Sequence, residues 1–160
     1  MVEGIPELFK KCKKLRKNSV VKNCALVSTE FEETAVTMHY ANLMSVVEGA
    51  LKNERDQCKH ISAGVDVQKL EGSYSVQVPA RTLGSLLDEL PAPTDIDFFS
   101  LDVEGYELQV LQGLNIAKHR PKFILVEARF FEEVNSFLIS NHYAMLEQLS
   151  YHDYLYRDMS

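Results

Sequence analysis

The chain has 160 residues, 46% hydrophobic and 25% charged, with a formal net charge of −6. That is the make-up of an ordinary globular protein with enough chain for one domain and a sizeable core. The acidic balance argues against non-specific binding to nucleic acid or to an anionic membrane, because both need clustered Lys and Arg.

The one basic run, Lys10-Lys11-Cys12-Lys13-Lys14-Leu15-Arg16-Lys17, reads as a solvated helix face. Three cysteines, Cys12, Cys24 and Cys58, are odd in number and lack Cys-x-x-Cys spacing. This speaks against a disulfide framework or a structural zinc and for a reducing, cytoplasmic compartment. No apolar run approaches the roughly 18–20 residues of a membrane-spanning helix. The opening Met1-Val2-Glu3-Gly4-Ile5-Pro6 has neither a basic nor an apolar leader region, so no signal peptide is expected.

Met1 to Glu3 reads as the tail of a strand. Pro6 suits the first turn of a helix over 6–16, with Leu8, Cys12 and Leu15 as its buried stripe. Residues 20–27 read as a strand, and so do 34–40, which are β-branched and roughly alternating. Asn42 can cap a short helix holding Leu43, Val46 and Val47. The polar stretch 52–72 has weak periodicity and reads as a surface loop with a turn of helix, the kind of segment that sets specificity. His39 and His60 have no second ligand at metal spacing, so no metal site is expected.

Residues 73–78 alternate as a strand does, and Pro79 stops them. Thr82 can cap a helix with Leu83, Leu86, Leu87 and Leu90 on its apolar face. Pro91-Ala92-Pro93 is a stiff connector. Ile96 to Leu101 is a short, nearly continuous apolar run, as expected of a strand covered on both faces. Gly105 allows a close turn, and Leu108, Leu111 and Leu114 then recur at helical spacing, with Gly113 in the last turn or capping it. Residues 122–127 are a second buried strand, expected parallel. Residues 132–142 form an amphipathic helix. Two strands over 143–149 and 153–157 follow, joined around Ser150-Tyr151-His152.

In an open α/β sheet, ligands bind outside the carboxyl ends of the strands. Asp102 stands where one apolar strand ends, with Glu104 beside it, and Glu127 closes the next, so Asp102 and Glu127 can face one crevice. The plainer alternatives are that Asp102 and Glu104 cap the helix that follows, and that Glu127 forms a salt bridge to Arg129 or another neighbour.

The string Phe-Ser-Leu-Asp-Val-Glu-Gly-Tyr-Glu-Leu-Gln-Val-Leu-Gln-Gly-Leu, residues 99–114, resembles the signature of FkbM-type methyltransferases. Arg81-Thr82-Leu83-Gly84-Ser85-Leu86-Leu87 resembles the element that precedes it. The resemblance implies a Rossmann-like α/β sheet, mostly parallel, with an antiparallel pair at its C-terminal end. It also implies S-adenosylmethionine as cofactor and methyl transfer, with an oxygen acceptor on a small molecule or glycan as the expected partner. On that basis Glu3 would accept hydrogen bonds from the cofactor's ribose, the alternative being a frayed terminal residue. Asn23 would bond the adenine and Ala25 lie against it, the alternative being a plain strand end. Asp102 would hold the cofactor's amino end or the acceptor, with Glu104 as the alternative base.

One family feature is missing. The Gly-rich turn of the Asp-x-Gly-Ala-Asn-x-Gly kind does not occur, and no two of the seven glycines are closely spaced. The sequence thus reads as starting one strand-helix unit late, a single partial domain over 1–160. A degenerate, non-catalytic interaction module is the competing expectation, and a different Rossmann-like enzyme a third, since fold alone does not fix function.

Overall fold

The computed structural model describes residues 1–90 and 95–160. It divides into two compact units, Met1–Leu26 with Glu30–Arg81, and Val27–Thr29 with Thr82–Ser160. The connector expected at Pro91-Ala92-Pro93 lies outside the described residues.

In the first unit, helix α1 covers Pro6–Leu15, with the proline in its first turn. Proline is tolerated there because that amide has no helical acceptor anyway. None of its residues is fully buried, and Leu15 is 80% exposed, so the expected stripe extends only to half-buried Leu8 and Cys12. Of the strand expected over 20–27, only Ala25–Val27 forms one, β1. Val2 makes an isolated parallel bridge to Lys22. Strand β2 is Ala35–His39.

A short 3-10 turn, Asn42–Met44, follows, with Asn42 inside it at φ 53° rather than capping it. Val46 and Val47 are then strand β3, paired antiparallel with Met38 and His39. The helix expected around them is therefore corrected; two adjacent β-branched residues fit an extended backbone better.

The larger correction concerns residues 52–72. Helix α2 runs over Glu54–Gln68, with the Asn53 side chain accepting from the Asp56 amide at its start. Its buried positions are Gln57, His60 and Gly64, spaced for one helix face but not apolar. Polar bonds tie this face to the preceding segment. Gln57 accepts from the Gly49 amide at 2.8 Å, His60 Nε2 lies 3.0 Å from the Met44 carbonyl, and Gln68 Nε2 donates to the Ala41 carbonyl at 2.7 Å.

Strand β4, Ser75–Thr82, passes through Pro79 instead of stopping there. Pro79 pairs with Ala35, and the next amide, Ala80, donates to the Thr34 carbonyl at 2.9 Å. The sheet order is β1-β4-β2-β3.

The second unit begins with α3, Leu83–Glu89, whose cap Thr82 accepts from the Ser85 amide as expected. Strand β5 is Phe98–Leu101 and helix α4 is Glu107–Gln112, ending at Gly113. A Cβ on Gly113 would clash with the Val27 carbonyl oxygen, so that approach requires glycine. Strand β6, Phe123–Glu127, helix α5, Phe131–Ser140, and strands β7, Tyr143–Gln148, and β8, Asp153–Asp158, complete the unit.

The second sheet has the order β5-β6-β8-β7. Only β5–β6 is parallel in it, β6–β8 and β7–β8 being antiparallel. With β2–β3 and β2–β4 also antiparallel, the sheets are mixed, and the expectation of a mostly parallel sheet is corrected. The closing antiparallel pair is present as expected. Strand β5 is not covered on both faces either. It is an edge strand, with Phe98 53% exposed and Leu101 buried. Among the described residues, no helix is long and apolar enough to cross a membrane.

The core of the second unit includes Leu111, Ile124, Val126, Leu138 and Tyr156, none more than 0% exposed. Leu111→Ala is expected to destabilise the protein by about 2–5 kcal/mol in urea unfolding, the cost of a buried cavity. Leu15→Ala is expected to cost less than about 0.5 kcal/mol. Equal costs at the two positions would contradict this placement of the core.

Candidate functional site

The parallel register of β5 on β6 sets Leu101 opposite Val126, so Asp102 leaves its strand at the same end as Glu127. The antiparallel register of β8 on β6 sets Asp153 opposite Glu127. Three neighbouring strands thus deliver Asp102, Glu127 and Asp153 to one end of the sheet. It is the carboxyl end of the two parallel strands, where ligands bind in open α/β sheets.

Between β5 and α4 the chain turns within residues 102–105. Glu104 (φ 57°) and Gly105 (φ 105°) both have positive φ. Glycine tolerates this freely; a glutamate does so at a cost of about 1–2 kcal/mol. Three side chains hold the turn. The Asp102 carboxylate accepts from the Glu104 amide two residues on. The Glu107 carboxylate reaches back to the Gly105 amide at 2.7 Å. Arg129, just beyond β6, donates from Nη2 and Nε to Glu104 Oε2 at 2.6 and 3.1 Å.

The resulting electrostatics are lopsided. Desolvation, then the charges of Glu104 and Asp153, push the Asp102 pKa above the ordinary carboxylate range, against Arg129 and the Glu104 amide. Glu127 is raised first by burial and then by Asp102, Glu104 and Asp153, again opposed by Arg129. Asp102 is exposed, so solvent reduces both its desolvation and its share of this repulsion. A carboxylate of raised pKa is a better proton acceptor, and a ridge of carboxylates favours a cationic ligand.

The chain matches the family model described as Methyltransferase FkbM domain over residues 1–156. It belongs to that family. No curated protein and no solved structure matches it.

The FkbM signature thus coincides with the turn and its carboxylates. The helix α4 has no side-chain cap, so neither Asp102 nor Glu104 caps it. The carboxylate at the start of α4 is Glu107, 1% exposed, which sequence reading passed over. A signal was present: Val103, Glu107, Val110, Leu111 and Leu114 share helical spacing, and Glu107 is the one charge among them. Asp153 was also missed, because its place at the site follows from the β6–β8 register alone.

The other family-derived residues lie in the first unit. Glu3 is not frayed: its amide donates to the Lys22 carbonyl, and its Oε1 accepts from the Ile5 amide at 2.9 Å. Burial raises its pKa, with the Ile5 bond opposing. Asn23 Nδ2 donates to the carbonyls of Glu3 and Gly4 at 2.8 and 2.7 Å, which fixes Glu3 and commits the amide hydrogens of Asn23. Ala25 is 5% exposed. Among the described residues, no group of His, Cys, Asp and Glu side chains forms a set that could hold a metal ion.

Arg129→Gln leaves Glu104, whose side chain is only 12% exposed, without that cation. The expected cost is about 1–3 kcal/mol in urea unfolding near neutral pH. The sign of its pH dependence follows from Asp102 and Glu127, whose pKa values rise further once Arg129 is gone. A carboxylate with a raised folded-state pKa destabilises fully above that value and is relieved as the pH falls toward its unfolded value. The variant's deficit should therefore shrink as the pH falls from neutral into the ordinary carboxylate range. A constant deficit would place Arg129 outside this cluster.

Proposed function

We propose that the protein is an S-adenosylmethionine-dependent methyltransferase acting on a hydroxyl of a small molecule or glycan. Membership of the FkbM family supports methyl transfer. The observation that carries the finer reading is Asp102, a carboxylate of raised pKa at the carboxyl end of β5, within a ridge of acids. This donor set suits a ligand bearing ammonium and sulfonium charge.

When bound, S-adenosylmethionine supplies an electrophilic methyl group. The protein's part is placement and proton transfer. Asp102 holds the amino end of the cofactor or accepts the acceptor's hydroxyl proton. Glu104 is the less suited base, because Arg129 engages its Oε2. Glu3 is the acid for ribose hydroxyls, and its orientation is fixed by Ile5 and Asn23. Asn23 and Ala25 are assigned to the adenine, with Asn23 contacting it through its carbonyl oxygen, since its amide hydrogens are committed. We place the protein in the cytoplasm and assign it neither a nucleic-acid nor a membrane partner.

A second reading, a non-catalytic module, is favoured by one sequence feature, the absence of closely spaced glycines. Calorimetric titration of S-adenosylhomocysteine separates the two. Micromolar binding is expected for the enzyme and none for the module.

Asp102→Asn is expected to lower methyl transfer by about 10²-fold or more. Its melting temperature should stay level or rise slightly, because a repelled charge is removed. The base must be ionised, so kcat/KM should fall as the pH drops through the Asp102 pKa, giving an acid limb above the ordinary value of about 3.9. Normal turnover by this variant would remove Asp102 from the site.

A further inference from the structure

Glu107 is a buried acid of the second unit that the proposed chemistry leaves unused. It is 1% exposed, at the first position of α4. Its Oε1 accepts from the Gly105 amide at 2.7 Å, while its Oε2 is buried without a hydrogen-bond partner. Burial pushes its pKa up; the amides of Gly105, Glu107 itself and Val103 oppose this, and the charge of Asp102 adds to it. A group used only to fill space would be better as leucine, which leaves no orphaned oxygen.

The retained carboxylate does one thing an apolar side chain cannot: it satisfies a backbone amide inside the turn. That amide belongs to Gly105, which is buried and follows Glu104, and both have positive φ. A glycine in this region has many alternative conformations, so the turn needs an external tie to stay in one.

We infer that Glu107 is a positioning residue, which locks the 102–105 turn from beneath and so fixes where the Asp102 and Glu104 carboxylates stand. It touches no ligand and acts through the backbone of the turn, chiefly the Gly105 amide. The Asp102–Glu104 bond and the Arg129–Glu104 pair hold the turn at Glu104, while Glu107, itself buried, holds it at Gly105. The inference rests on the reading of Asp102 and Glu104 as the site.

The test combines amide hydrogen exchange at Gly105 with calorimetric titration of S-adenosylhomocysteine, on the full chain and on Glu107→Leu and Glu107→Gln. Glutamine keeps an acceptor oxygen at the same reach; leucine removes it. The Gly105 amide is expected to be protected in the unaltered protein and in the glutamine variant, and to exchange freely in the leucine variant. Binding should weaken about tenfold or more in the leucine variant and recover with glutamine.

A Gly105 amide that exchanges freely in the unaltered protein overturns the inference, whatever the variants do. So does unchanged protection in the leucine variant, or equal binding by a leucine variant whose parent binds. Absence of binding by the parent counts against the proposed function instead, and the exchange measurement then decides the role of Glu107 by itself.

Discussion

The path of the backbone from Leu101 to Glu107 is the constraint on which the candidate site depends. A strand must give way to a helix within five residues, and the solution takes two successive residues to positive φ. Gly105 does this without penalty. Glu104 does not, and a lone turn of this kind would sample other conformations. It is held because separate elements contribute to it: Asp102 from the end of β5, Glu107 from α4 and Arg129 from beyond β6. The hydrogen bonds join three carboxylates to two backbone amides of the turn and one guanidinium, so the geometry of the turn and the placement of the acids are one and the same problem.

The same arrangement works against stability. Asp102, Glu127 and Asp153 converge because of strand register, and the neighbouring acids disfavour the charged forms of Asp102 and Glu127. Arg129 offsets part of this and cannot offset all of it. Burial of Glu107, with an oxygen left unpartnered, adds a further cost. Such costs are retained where function requires them, and stability is then supplied elsewhere. Here the supply is the apolar packing of Leu111, Ile124, Val126, Leu138 and Tyr156 beneath the acids.

How much of this was legible in the sequence depends on whether the buried face was apolar. The helix capped by Thr82, the strand over 123–127 and the closing hairpin announce themselves through hydrophobic pattern and cap chemistry, and each stands close to where it was expected. Helix α2 does not, because it docks through Gln57, His60 and Gln68, whose hydrogen bonds to backbone do the work that leucines do elsewhere. Periodicity in hydropathy is blind to such a face. Pro79 misled for a related reason: it removes one donor, and the ladder resumes at the next amide. Leu15 misled because it lies in the last turn of α1, where the chain leaves the helix.

Asp102 was legible as a site residue and Glu107 was not, and the difference is instructive. An acid at the end of an apolar strand stands out against its surroundings, whereas an acid opening a helix looks like ordinary dipole complementarity. Its burial reveals a different use. Glu3 accepts from the amide of Ile5, Asp102 from that of Glu104, and Glu107 from that of Gly105, each two residues away. In every case a carboxylate next to the end of an extended segment or the start of a helix is oriented by nearby backbone, not by a distant side chain. That device needs only a short stretch of chain to be correct, and it fixes the direction of the group before any ligand arrives. Preorganisation of this local kind lowers the ordering cost of binding. It also explains how a site assembled from strand ends and a strained turn can be precise on an edge strand that is itself half exposed.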